Sequence, residues 1–242
     1  MTAPDNETTR SYYEASYQNE GLGAQRRYPN EELCRFLGRH YFALPRAQRA
    51  AIRILEVGCG SGANLWMIAR EGFDAYGIDL SEQAVELCRQ MLAQYSVSAS
   101  VQIADMSAMP FPDRMFDCIV DVFSSYCLDE AGFDRYLDEV ARLLKPDGLY
   151  FSYVPSKASD AFLHPEPSRK LDPSTIDGVQ RQTSPFYGNL YPFRFIGSAE
   201  YVAALSARSL MPIYNETVGR TYRQGEEYFE FVVIAATKLR QG

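Results

Sequence analysis

The chain has 242 residues, 46% hydrophobic and 23% charged, enough to bury one core of the size an α/β domain needs. Its formal net charge of -7 comes from acidic residues spread along the chain, which favours solubility, and no basic stripe points to nucleic acid. With a polar start and no run of about 18 apolar residues, neither a secretory leader nor a membrane span is expected, and the cytoplasm is the expected compartment.

In chain order, residues 31 to 44 set Leu33, Phe36, Leu37, Tyr41 and Leu44 at helical spacing before Pro45 interrupts. The apolar run from 52 to 57 ends in glycines, as a strand covered on both faces does. A helix is expected over 63 to 70, a strand over 75 to 78, and a helix capped by Ser81 with Ala84, Val85, Cys88, Met91 and Leu92 on one face. Strands over 101 to 103 and 116 to 122 follow. The next helix carries Phe133, Tyr136, Leu137, Val140, Leu143 and Leu144 until Lys-Pro-Asp-Gly stops it, and a fifth strand spans 149 to 154. This alternation predicts a doubly wound, mostly parallel sheet with helices on both faces. After it come a helix near 198 to 209 and two β-rich stretches, 213 to 223 and 228 to 237, expected to pair as an antiparallel hairpin around Gly225.

The expected organisation is one domain over 1–242. An N-terminal cap and leading helix cover 1–45, a ligand-binding core 52–154, an insertion or lid 155–197, and the final helix and hairpin 198–240. The insertion holds six of the thirteen prolines, and five of the ten residues from Phe186 to Phe195 are aromatic, a composition that argues against plain disorder. Cys34, Cys59, Cys88, Cys118 and Cys127 form no C-x-x-C pair and read as buried thiols; with only His40 and His164 besides, no metal site is expected.

Gly58-Cys59-Gly60-Ser61-Gly62-Ala63 follows the first strand, where glycines let the backbone approach a ligand ahead of a helix N-terminus. Asp79 ends the next strand 21 residues after Gly58, placed to accept hydrogen bonds from ribose hydroxyls. This much suits a dinucleotide as well as other nucleoside cofactors. Glu56 two residues before the first glycine, the third alternate glycine Gly62 and the pair Asp105-Met106 after the third strand separate the two. With these, and with Met-Pro-Phe-Pro-Asp, Phe-Asp-Cys-Ile-Val-Asp and Leu-Leu-Lys-Pro-Asp-Gly-Leu, the stretch from Ile52 to Val154 resembles the class I S-adenosylmethionine-dependent methyltransferases, whose reversed seventh strand the hairpin also matches.

The resemblance implies a seven-stranded sheet and S-adenosylmethionine as cofactor. It places Gly58, Cys59 and Gly60 under the methionine part, Asp79 on the ribose, Leu80 against adenine, Asp105 and Met106 at the adenine edge, and Asp121 near the methionine amino group. Glu56, Asn64, Tyr17 and Arg27 complete the implied cofactor set, Arg27 as a bidentate carboxylate holder. For a small-molecule acceptor receiving the methyl group on O or N, the candidates are Tyr13, Ser124, Tyr126, Phe186 and Tyr191, with Tyr12 and Tyr17 on the same possible helical face as Tyr13 and Ser125 beside Ser124. His164 is the candidate general base, since an imidazole takes a proton near neutral pH.

Two alternatives remain at this point: a dinucleotide-dependent oxidoreductase and a non-catalytic S-adenosylmethionine-binding protein. Tyr153-Val-Pro-Ser-Lys157 matches the Y-x-x-x-K pair of short-chain dehydrogenases, but Pro155 interrupts the helical face that pair needs. The identity of the acceptor and the oligomeric state are not legible in these residues.

Overall fold

The computed structural model describes residues 6–240; of the polar start read above, Met1 to Asp5 lie outside it. In chain order the elements are α1 (Asn6–Glu20), α2 (Glu31–His40), α3 (Arg46–Arg49), β1 (Arg53–Val57), α4 (Leu65–Arg70), β2 (Asp74–Asp79), α5 (Glu82–Gln94), β3 (Ser100–Ile103), β4 (Phe116–Val122), α6 (Glu130–Leu143), β5 (Leu144–Pro155), α7 (Asp160–Leu163), β6 (Thr175–Ile176), β7 (Phe193–Arg194), α8 (Ser198–Ser206), β8 (Leu210–Tyr222) and β9 (Glu227–Lys238).

Seven strands form one sheet in the order β3-β2-β1-β4-β5-β9-β8. The first five are parallel, while β9 runs antiparallel between β5 and β8. The expected doubly wound sheet and closing hairpin are both present, and the hairpin is the edge of the main sheet. Alternation along the strands divides the core. Leu55, Val57, Val232 and Ile234 face α6 and α8, whereas Ile54, Val120, Val233 and Ala235 face α2, α4 and α5. Local signals explain the helix starts: Ser81 accepts from Ala84 N at 3.0 Å, Asp129 caps α6 through Gly132 N at 2.7 Å, and Asn30 caps α2 through Glu32 N and Leu33 N.

Three boundaries differ from expectation. α2 ends at His40, so Leu44 packs from the loop beyond it rather than from the helix. The Lys-Pro-Asp-Gly segment stops α6 but lies inside β5, where Asp147 takes a left-handed φ of 62° and the β4–β5 register slips between Phe116 and Cys118. The polar start also contains a helix, α1. The insertion after β5 packs around an aromatic cluster of its own, with Phe162, Tyr191, Phe193 and Phe195 against Phe229 and Phe231 of β9. Burial of that much ring surface holds a proline-rich segment that has little regular hydrogen bonding.

Candidate active site

A cleft of about 410 Å³ opens at the carboxyl ends of β1, β2 and β4, with α1 along one side, the place where ligands bind in parallel α/β sheets. Its floor is the glycine turn. Gly58 and Gly60 take φ of 60° and 52°, a region costly for residues with a Cβ. A Cβ on Gly58 would stand 2.3 Å from Ser124 Cβ, and one on Gly60 would stand 2.5 Å from Gln25 Oε1. The turn is held from the next strand: Cys59 N donates to Ile78 O, and Gly60 N donates to Asp79 Oδ2, each at 2.9 Å.

Asp79 accepts from Ser81 N with its other oxygen at 2.9 Å. Burial pushes its carboxyl pKa up, against the lowering effect of those amides. Each oxygen keeps a lone pair for a ligand hydroxyl. Glu56, 2% exposed, accepts from Asn64 Nδ2 at 2.6 Å through Oε1, and its Oε2 is buried without a partner. Desolvation raises its pKa to about 8, with Asn64 and Arg26 acting in the opposite direction. Asn64 in turn accepts from Asn30 N at 2.9 Å, which ties the start of α2 to the cleft.

Among the cofactor candidates, Tyr17, Glu56, Gly58, Cys59, Gly60, Asn64, Asp79, Leu80, Asp105 and Met106 all line this one cleft. Two do not. Arg27 points to solvent and contributes its carbonyl to Trp66 Nε1 at 3.1 Å, while its neighbour Arg26 lines the wall. Asp121 is fully buried beneath the turn after β4. Its Oδ1 accepts from Ser124 N and Ser125 N, and its Oδ2 from Ser125 Oγ and Ser152 Oγ. The carboxylate is thus occupied in shaping the turn. Gln25, Arg26 and Asn30 were not singled out from the sequence; an asparagine directly before the apolar helical pattern of α2 was the available signal for Asn30.

The other end of the cleft is aromatic. Tyr13, Phe123, Ser124, Tyr126, Cys127 and Phe186 line it. Tyr191 stands just behind, its hydroxyl 2.9 Å from that of Tyr13 and 2.6 Å from that of Tyr126, and the Tyr13 and Tyr126 hydroxyls also bond each other. Burial drives the pKa values of Tyr13 and Tyr126 well above the phenol range and that of Cys127 up to about 12, so these groups are neutral hydrogen-bonding walls and not bases. Ser124 Oγ lies 2.8 Å from Val57 O and 2.6 Å from Asp121 Oδ1. His164 is not brought to this cleft: it follows the short α7 at an exposed position, and His40 lies half-buried on α2. The geometry gives no support to His164 as the base.

Tyr153 sits on β5 stacked 4.3 Å from Phe231, and Lys157 pairs with Glu200 at 2.7 Å. They share no helix face, so the dehydrogenase-like pair is absent as a unit.

Residues 54–148 match the family described as Methyltransferase domain. That stretch is similar to methyltransferase domains, and the sheet around it has the class I methyltransferase fold. The domain is 36% identical over 108 residues to fatty-acid O-methyltransferase of Mycolicibacterium smegmatis, a match covering 43% of this chain and 37% of that protein. The chain thus spans less than half the length of the curated relatives it matches. Among solved structures, 1,6-didemethyltoxoflavin-N1-methyltransferase of Burkholderia thailandensis superposes with a TM-score of 0.64 at 16% identity, over 99% of this chain and 92% of that one. The 4+2 cyclase SpnF superposes with a TM-score of 0.67 at 16% identity, over 100% and 99%. Such likenesses establish the fold, and a fold alone does not fix a reaction. Among the described residues no helix is long and apolar enough to cross a membrane, and no cluster of His, Cys, Asp and Glu is arranged to hold a metal.

Proposed function

We propose that this chain transfers a methyl group from S-adenosylmethionine to an O or N atom of a small-molecule acceptor. The observation that carries the reading is Glu56: a buried carboxylate with one oxygen unpartnered in a cleft is a receptor for a cationic group that hydrogen-bonds to it. The rest of the cleft suits the remainder of that cofactor. Asp79 has lone pairs for a ribose diol, Leu80 and Met106 give apolar walls for a purine, Asp105 stands at its edge, and Arg26 suits a carboxylate. When bound, the cofactor supplies an electrophilic methyl on a sulfonium.

This chain's residues then mainly bind, orient and exclude water, which is what in-line displacement needs. The neutral hydroxyls of Tyr13 and Tyr126 would fix the acceptor, and the rings of Phe123 and Phe186 would cover it. Among the described residues no histidine lines the cleft, and its carboxylates lie toward the cofactor end. The acceptor atom is therefore read as one that presents its lone pair without enzymatic deprotonation: an ionised oxygen or a neutral amine. The net charge of -7 favours a small molecule over a nucleic acid, and five unpaired cysteines suit the reducing cytoplasm.

Titration calorimetry with S-adenosylhomocysteine and with NAD tests the cofactor. Binding of the first and not the second is expected, and the reverse would sink the reading. Transfer of label from methyl-labelled S-adenosylmethionine to a panel of acids, phenols and amines then distinguishes an enzyme from a binding protein.

A further inference from the structure

Tyr13, Tyr126 and Tyr191 bring three hydroxyls into mutual contact at the acceptor end of the cleft: Tyr13 with Tyr126, Tyr13 with Tyr191 at 2.9 Å, and Tyr126 with Tyr191 at 2.6 Å. A hydroxyl carries one hydrogen and two lone pairs. Three contacts closed into a ring engage all three hydrogens and leave one lone pair on each oxygen. Tyr13 and Tyr126 line the cleft, so what they offer a ligand is acceptor capacity. The turn after β4 is in the same condition. Phe123 N donates to Tyr153 O at 2.8 Å and Cys127 N to Ser124 O at 3.3 Å. Ser124 N and Ser125 N donate to Asp121 Oδ1, and the Ser124 hydroxyl lies against Asp121 Oδ1 and Val57 O. These donors are engaged within the protein, whereas an anion needs donors aimed at it. Asn189, half-buried, accepts from the Tyr12 hydroxyl at 3.1 Å and keeps one amide donor, and the thiol of Cys127 is a weak donor.

Charge acts in the same sense. Glu56, Asp79 and Asp105 line the cleft and Asp121 lies under the turn, while Arg26 goes with the cofactor carboxylate and Arg10 is solvent-exposed on α1. The Cys127 thiol shows the bias: burial and the charges of Asp79 and Asp121 push it up to about 12, beyond what the neighbouring Tyr126 and Tyr13 hydroxyls pull back. Given the methyl-transfer reading above, we infer that the acceptor is a neutral aromatic amine, an amino group carried on a ring, and that the transfer is an N-methylation. Such a nitrogen brings N–H donors to the lone pairs of Tyr13 and Tyr126, keeps its own lone pair for the methyl group, and is uncharged at neutral pH without a base. Its lone pair forms the N–C bond as the C–S bond breaks, and the electron pair of that bond stays on sulfur. The nitrogen becomes cationic and releases its proton to water afterwards. That positive charge develops against aromatic walls, Phe123 and Phe186 among them, which stabilise a cation through their faces. An ionised oxygen would meet lone pairs where it needs hydrogens, after losing its water.

The test uses the full chain saturated with S-adenosylhomocysteine and two matched probes, 4-nitroaniline and 4-nitrophenol, which differ only in the group brought to the acceptor end. Affinities are measured by calorimetry at pH values spanning the ionisation of the phenol. The affinity for 4-nitroaniline should stay level while that for 4-nitrophenol falls as it ionises, until the amine is favoured by about tenfold or more. Tyr126→Phe reduces the ring to the Tyr13–Tyr191 pair, which has one hydrogen left over for a ligand, so the preference should narrow by about threefold or more. A phenolate bound as tightly as the amine, no binding of either probe, or a preference unchanged in Tyr126→Phe overturns the inference. In turnover, labelled methyl should pass to aromatic amines, and a higher kcat/KM for a phenol or a carboxylic acid overturns it as well. Failure of S-adenosylhomocysteine to bind sinks the cofactor reading itself, and is seen before either probe is added.

Discussion

Glu56 and Asn64 share a 2.6 Å hydrogen bond that uses only one of the two Glu56 carboxylate oxygens. The other oxygen is equally shut off from water and has no partner. An arrangement that satisfies half of a buried carboxylate is costly to the empty protein, and the cost is recovered when a cationic hydrogen-bond donor arrives.

The first prediction follows from that arrangement. Glu56 has its pKa raised from 4.5 to about 8 by burial. Stability drawn from its neutral form is fully present below pH 4.5 and is lost as pH rises through about 8. Thermal unfolding of the ligand-free wild type should therefore show declining stability across that window, and Glu56→Gln should flatten the decline. Affinity for S-adenosylmethionine should rise with pH through about 8 in the wild type and lose that rise in Glu56→Gln. Identical pH profiles for both proteins would remove Glu56 from the cofactor's charge.

Asp79 joins two roles, since it also receives the Gly60 and Ser81 amides. Asp79→Ala should weaken S-adenosylhomocysteine binding by more than about tenfold and lower stability by about 1 to 3 kcal/mol, because buried amides lose their acceptor. Calorimetry beside a denaturant titration separates the two effects. An unchanged affinity with lowered stability would leave Asp79 as a brace of the turn alone.

The tyrosine hydroxyls predict a different pattern. Tyr126→Phe leaves the 2.9 Å Tyr13–Tyr191 contact in place and removes one hydrogen-bonding group from the acceptor end. Cofactor affinity should stay within about twofold, while kcat/KM for an acceptor found in the labelling panel falls roughly five- to tenfold. A fall in cofactor affinity of the same size would move Tyr126 to the cofactor side.

Glu14 on α1 accepts from Glu82 N at 2.8 Å and Gln83 N at 3.4 Å, so it caps α5 from outside the helix, where a negative charge is favourable. Glu14→Ala should cost about 1 kcal/mol and speed amide exchange within α1. Hydrogen exchange by mass spectrometry reads this directly, and unchanged protection of residues 8 to 20 would show that the cap does not hold α1.

His164 lies away from the cleft, so His164→Ala should leave turnover and its pH dependence within about twofold of wild type. A lost basic limb in the pH–rate profile would bring the imidazole back as a base.

The parallel core was legible because its strands are short apolar runs and its turn needs glycines, both of which are local signals. Glu56, Asp79, Asp105 and Met106 were legible for the same reason, each falling at a strand end. Arg26 was missed by one position because no short-range pattern says which of two adjacent arginines turns inward. That Asp121 lies off the cleft lining was not legible, because its partners include Ser152, 31 residues away, and a strand-end carboxylate looks alike whether it faces a ligand or a neighbouring hydroxyl. α1 was legible only as a possible helical face through Tyr12, Tyr13 and Tyr17, without bounds, because most of its surface is polar and its contacts are with distant segments, Asn189 and Tyr191 among them.

At Gly58 the turn after β1 and the turn after β4 interlock: a single added methyl would overlap Ser124, and Ser124 bonds back to Val57 O. The two loops behave as a ratchet pawl set in its tooth, so neither shifts without displacing the other. A mutational scan scored by acceptor use alone would flag position 58 as strongly as position 126, and such hits near Gly58 would report on transmitted displacement, with no contact to the acceptor required.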